Sequence, residues 1–258
     1  MAKSIIPSFE EVLFTAMKVP GVRIKRDVYL QKELMKYYPQ DIVDKAITYN
    51  PAQAGVTREA VKTIALSSIQ AETIHVAAVS AGVSLCTGAA AAVADMADYF
   101  AAVIRVVQKL AYLYGFPELN LHGDCIDDET KNMIYLLLGS MFGVKEANIV
   151  LGKLADSIAK RISTQLARQA LTHGTVYPIV KKIAAKLGIR MTKQIFADTV
   201  ASGIPLAGGV LSGALSYAMF KPNCIRLMES LSKYRLSNPE SYKSVDGNDN
   251  VIVEGAFA

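Results

Sequence analysis

The chain has 258 residues, 52% of them hydrophobic, a net charge of +5 and a mean hydropathy of +0.26. That length buries a proper core as one large domain or two small ones without disulfides or metals, and the ordinary Gly and Pro content excludes a disordered chain. Cys86, Cys125 and Cys224 are odd in number and widely spaced, which excludes a disulfide framework or a metal-type pair and is expected of reduced thiols in a cytosolic compartment.

Taken in chain order, the periodicity is helical throughout. The first 18 residues hold no long apolar run and carry Glu10 and Glu11 early, so no secretory signal is expected. Ser8 is a cap for a short helix ending at Pro20-Gly21, and Asp27 a cap for a second that continues through Tyr38 and stops at Pro39. A third spans 40–48 and ends at Asn50-Pro51. Thr57 is placed to cap a long helix to about Ala81. Gly82 and Gly88 bracket a break, after which a helix runs from about Gly88 to Tyr114 and stops at Gly115-Phe116-Pro117. Asp127 or Asp128 begins the next helix, with acids in the first turn that suit the helix dipole. A helix from about Lys145 to Leu171 follows, then one from Tyr177-Pro178 to about Leu187 and another capped by Thr192. Pro205 and Pro222 stand where first-turn prolines belong, for helices over roughly 205–220 and 222–235. Only "NVIVEGAFA" at the C-terminus has strand character. The expected fold is all-α: a single helical domain of about ten helices over 1–236, with two central Ala/Gly-rich helices, and a polar, flexible C-terminal tail over 237–258.

Two segments lack charge long enough to be compared with a membrane span, 76–94 and 199–220. Both are poor in Leu and Ile. Ala78, Gly82, Cys86, Ala90 and Ala94 form a ladder of small residues at i+4, and Gly209 and Gly213 a shorter one. Small residues on one face let helix backbones approach closely, in a bilayer or in a tight bundle. Core helices of a bundle are the simpler reading, with insertion as the alternative. Asp95 and Asp98 come directly after the first apolar run and are expected to mark the end where that helix meets water or a polar partner.

Charge is uneven along the chain. Nine basic residues lie between Lys153 and Lys193 against one acid, Asp156. Over 145–171, Val150, Leu154, Ile158, Ile162 and Leu166 recur at i+4, and Lys153, Lys160, Arg161 and Arg168 are expected to form the polar side of the same helix. Together with Lys181 and Lys182 they are the candidate membrane- or partner-facing residues: a basic amphipathic helix can lie on an anionic membrane surface, although such a face is often merely solvated. No nucleic-acid motif is present and aromatics are not interleaved with the basic residues, so nucleic acid is not expected as a partner.

Catalytic patterns are scarce. There is no G-x-S-x-G, no Walker A loop and no H-E-x-x-H. Glu72 and His75 form a single E-x-x-H, the spacing of di-iron bundles, but a second copy is missing. Asp95 and Asp98 could add oxygens, yet a surface Glu and a satisfied His explain the pair better. Asp124, Asp127, Asp128 and Glu129 lack the ligand spacing of a calcium loop. No catalytic, cofactor-binding or metal-ligating residue is assigned, and no cofactor is expected. A metal-dependent or hydrolytic enzyme using Glu72, His75 and Asp98, or His122 and Asp124, is the remote alternative.

The stretch "VADMADYFAAVIRVVQKLAYLYGF" resembles the signature of EcsC-like bacterial proteins: a small-residue segment, an Ala-Asp, then a helix ending in a Tyr-Gly-aromatic turn. "IPLAGGVLSGALSYAMFKP" is similar to that family's second signature, and "PGVRIKRDVYLQKEL" and "HGTVYPIVKKIAAKLGIRMTK" resemble segments of a subgroup, so the resemblance spans roughly 17–235. One departure is visible. Val93-Ala94-Asp95 stands where the family places a Pro before the Ala-Asp, which predicts an unbroken helix through Val93. The resemblance implies a helical, membrane-associated bacterial protein, with a transporter as a partner by the family's association with an ABC-transporter operon. It transfers no catalytic residue.

The functional expectation is a non-enzymatic helical protein on the cytoplasmic side of a bacterial cell, peripheral at the inner face of the plasma membrane. Its partner would be an anionic membrane surface or another membrane protein. A soluble helical scaffold with no membrane role is the rival.

Overall fold

The computed structural model describes residues 13, 15–83, 89–121, 126–160, 176, 178–183 and 220–242, and the side chains of 80–83 and 89–97 fall outside that description. The fold is all-α, with no strand among the described residues. Among the described residues six long helices are delimited: α1 (Arg26–Leu34), α2 (Gln40–Thr48), α3 (Arg58–Val83), α4 (Ala89–Leu113), α5 (Asp128–Met141) and α6 (Lys145–Ala159). Helical segments at 178–183 and 220–231 and two 3-10 turns, Arg235–Ser237 and Pro239–Ser241, complete the description.

The downstream half of α4 is the centre of the molecule. Phe100, Val103, Ile104, Val107, Leu110, Ala111 and Tyr112 are all buried, and this helix is apolar nearly all round, as a helix must be when neighbours cover every side. Each such large side chain contributes roughly 1.5–3 kcal/mol by leaving water. Helix α3 packs along α4, α1 crosses both α2 and α4, and α5 pairs with α6. The last contact is close because Gly139 of α5 has no side chain: a Cβ there would meet the Ala147 Cβ of α6 at 2.6 Å and the Ile179 Cγ2 at 2.9 Å. The segment 220–231 buries Phe220, Cys224, Leu227 and Leu231, one stripe at helical spacing.

Helix ends follow the local chemistry. Thr57 Oγ1 accepts from Ala60 N at 3.2 Å and Asp127 Oδ1 from Thr130 N at 2.6 Å, both as N-caps. Helix α4 is unbroken through Val93 and ends at Leu113, and Gly115 just beyond it has a left-handed φ of 92°. Phe116 N bonds to Ala111 O at 2.9 Å and Gly115 N to Tyr112 O at 3.2 Å, the paired bonds of a Schellman stop. A side chain at 115 would also meet Leu236 Cγ at 3.0 Å and Asn50 Cβ at 3.3 Å. The Tyr-Gly-Phe turn therefore serves both the stop and the docking of two distant segments.

Several expectations are corrected. Helix α1 starts at Arg26 with Lys25 at its N-cap position, and Asp27 lies in the first turn, its Oδ1 accepting from Val28 N at 2.7 Å. The helix closes at Leu34, whose carbonyl accepts from both Tyr37 N and Tyr38 N in a turn ahead of Pro39. Helix α6 ends at Ala159 with Lys160 as C-cap, so no single helix runs unbroken over 145–171. Near that end Ser157 Oγ donates to Lys153 O at 2.9 Å, the kind of back-bonding that competes with helix continuation. The helix expected from Pro222 is already helical at Phe220. Of the small-residue ladder only Ala78 has a described side chain, and it is exposed. The stretch 199–219 lies outside the described residues. Finally, Asn238–Tyr242, assigned to the tail by sequence, is docked: Tyr242 Oη donates to Leu236 O at 3.3 Å and accepts from Asn50 Nδ2 at 3.3 Å.

Candidate functional site

Two surfaces gather the residues singled out from sequence. The first is the outward face of α6. Ala147, Leu151, Leu154 and Ala155 are buried against the molecule, which turns Lys145, Ile149, Lys153, Asp156 and Lys160 outward. The buried stripe is thus rotated slightly from the expected Val150–Leu154–Ile158 line, and Val150 and Ile158 are only half-buried. Ile149, which the sequence reading did not single out, is 60% exposed. It stands four residues from Lys145 on one side and from Lys153 on the other. Among the described residues neither Lys153 nor Lys160 has a carboxylate partner.

Lys181 and Lys182 are both exposed on 178–183. Lys182 differs from the others, because its Nζ is paired with the Glu146 carboxylate of α6. That hydrogen bond holds Glu146 below the usual carboxylate range. Arg161 and Arg168 lie outside the described residues, as do His122 and Asp124. Asp95 is within α4, but its side chain is not described.

The second surface is an open depression of about 460 Å³ between α3, α4 and the turn at 19–21, lined by Glu72, His75, Val79, Asp98 and Arg105. Glu72 is not the surface residue expected from sequence. It is 7% exposed, its Oε2 accepts from Arg105 Nε at 2.9 Å and its Oε1 from Lys109 Nζ at 2.8 Å. The correction has a simple cause: α3 packs on α4 along this face, and the only two charges on α4 downstream of Asp98 stand at i,i+4 opposite Glu72. Two cations on one carboxylate leave the triad with a net positive charge. His75, one turn on from Glu72, is exposed. Among the described residues no three His, Cys, Asp or Glu side chains converge on a point that could hold a metal ion; the Asp95 side chain, weighed with Glu72, His75 and Asp98 from sequence, lies outside the described residues.

Sequence inspection also missed two polar anchors. Arg26 donates to four carbonyls: Ile47 O at 2.6 Å, Tyr49 O at 3.1 Å, Ala46 O at 3.2 Å and Phe116 O at 3.3 Å. It satisfies the C-terminal carbonyls of α2 and ties them to the stop of α4; burial lowers its pKa. Gln108, fully buried, donates Nε2 to Val22 O at 2.8 Å and accepts from Ile24 N at 3.0 Å through Oε1. It pins the extended chain that leads away from Gly21. Behind the triad, Tyr29 Oη and Ser68 Oγ are 2.7 Å apart and buried. The Cys224 thiol is pushed up by burial and by the negative charge of Glu72, so it is an inert core group.

Among the described residues no helix is long and apolar enough to cross a membrane. No family model, curated protein or solved structure matches the chain.

Proposed function

We propose that this chain is a non-enzymatic helical module that docks peripherally, through the outward face of α6, on an anionic membrane surface. The observation that carries the reading is the row Lys145, Ile149, Lys153 and Lys160, all exposed on one face, with an apolar side chain between two lysines. A lysine near an anionic leaflet gains about 1 kcal/mol of attraction, and an exposed aliphatic group at the same depth adds burial in the acyl boundary. Lys181 and, by sequence, Arg161 and Arg168 extend the charge. The resemblance to EcsC-like proteins supports the same reading and adds a bacterial transporter as a membrane-protein partner.

Flotation with anionic and with neutral vesicles, at low and high salt, tests it. Salt-sensitive flotation with anionic vesicles only, reduced when Lys153, Lys160, Arg161 and Arg168 are replaced by Gln, is the expected result. Failure to float with any vesicle would leave a scaffold without a membrane role. Salt-resistant flotation with both vesicle types would point instead to insertion of 76–94 or 199–220.

A further inference from the structure

From the depression between α3 and α4 we infer a binding site for a small zwitterion, a molecule carrying a carboxylate or phosphate at one end and an amine at the other. Charges line this one cavity and do not satisfy each other. Arg105 gives its Nε to Glu72, and among the described residues no partner takes up its two amino ends. Its side chain is 13% exposed, yet it lines the depression. The triad around it keeps a net positive charge, since Lys109 also serves Glu72. Asp98 lines the same depression, half-buried, and among the described residues it forms no ion pair.

Arg105 and Asp98 are seven residues apart on α4, hence two turns and roughly 10 Å along the axis on one face. The arginine side chain leans back toward the N-terminus of its helix, which shortens the gap without closing it into a salt bridge. A lone anion would be repelled by Asp98 and a lone cation by the triad. A ligand with both charges satisfies both ends. The guanidinium's amino ends suit a carboxylate or phosphate in two-point contact, Asp98 suits an ammonium, and Val79 and Pro20 add aliphatic lining.

The test is calorimetric titration of the full chain with glycine, γ-aminobutyrate and ε-aminocaproate, a series of increasing charge separation, with hexanoate and hexylamine as single-charge controls. We expect saturable binding that tightens from glycine to ε-aminocaproate, and ring-proton shifts at His75 that track the same titration. Asp98→Asn and Arg105→Lys are each expected to weaken ε-aminocaproate at least about tenfold. No saturable binding of any member, affinity for ε-aminocaproate no better than for hexanoate or hexylamine, or unchanged affinity in Asp98→Asn would each overturn the site. Because His75 is read in the wild-type protein, the site is tested even if a variant fails to fold.

Discussion

Glu72 of α3 and Arg105 of α4, 33 positions apart in the chain, meet side chain to side chain at 2.9 Å in a region where both are largely removed from water. With Lys109 at 2.8 Å on the other carboxylate oxygen, the cluster ties α3 to α4 at the centre of the core. Removing a partner from such a cluster leaves uncompensated charge in a poor solvent for it. Glu72→Gln is therefore expected to destabilise the protein by about 3 kcal/mol. Replacing all three by apolar residues of similar volume is expected to cost far less. Urea unfolding of both variants checks the contrast, and equal losses would show that packing rather than charge sets the energy.

The Arg26 fork is a second long-range tie. Lysine keeps the charge but offers one ammonium where four carbonyls are served. Arg26→Lys is expected to lose about 2 kcal/mol and to raise amide exchange at the C-terminal turn of α2. Unchanged exchange there would mean that the α2 end is held by other contacts.

These two ties also show where sequence reading stops. The helices were legible because caps and stops are local: Thr57, Asp127 and Gly115 act on atoms within five residues of themselves. Partners across the fold were not. Glu72 looks like an exposed carboxylate in its own helix, and only the docking of α4 makes it the centre of an ion cluster. The one clue was that Arg105 and Lys109 are the only charges in the largely apolar half of α4 after Asp98, at i,i+4, where charge is costly without a partner. Arg26 likewise reads as one of several basic residues near Lys25, and carbonyl acceptors leave no trace in a sequence. The outward lysines of α6 were legible from periodicity, but Ile149 was not, because the buried stripe is rotated away from the line the spacing suggested.

Gly115 is expected to resist any side chain. Its φ of 92° and the 3.0 Å approach of Leu236 Cγ mean that Gly115→Ala meets backbone strain and crowding together. A loss of about 2 kcal/mol is expected, with the 3-10 turn at Arg235–Ser237 loosened first. Normal stability with protected amides at 235–242 would refute the link between the two segments.

Alkaline pH should unfold the protein in step with its tyrosines. Burial pushes Tyr112 and Tyr114 up to about 12, and it raises Tyr29 and Tyr234 as well. A folded-state pKa above the unfolded value means that the native state holds its protons longer. The associated stability is complete below about pH 10 and is lost as pH rises toward 12. Tyrosinate absorbance should rise late and coincide with loss of helical circular dichroism. Early, reversible ionisation of every tyrosine with the helices intact would contradict this burial.

The pairing of Lys182 with Glu146 makes the last prediction, because it separates two lysines that look alike in sequence. Lys153 has no carboxylate partner among the described residues, whereas Lys182 shares its charge with a neighbour on α6. An anionic vesicle should therefore feel Lys153 strongly and Lys182 weakly. Lys153→Gln is expected to lower the partition constant about fivefold at low salt, as loss of one lysine near the leaflet implies, and Lys182→Gln clearly less. Glu146→Gln should act in the opposite sense. It removes a negative charge from the docking face and frees Lys182 at once, so binding should strengthen several-fold, and the gain should shrink as salt is raised. Equal effects of the two lysine substitutions, or weaker binding of Glu146→Gln, would show that the face toward the membrane is not the one on which Glu146 and Lys153 stand.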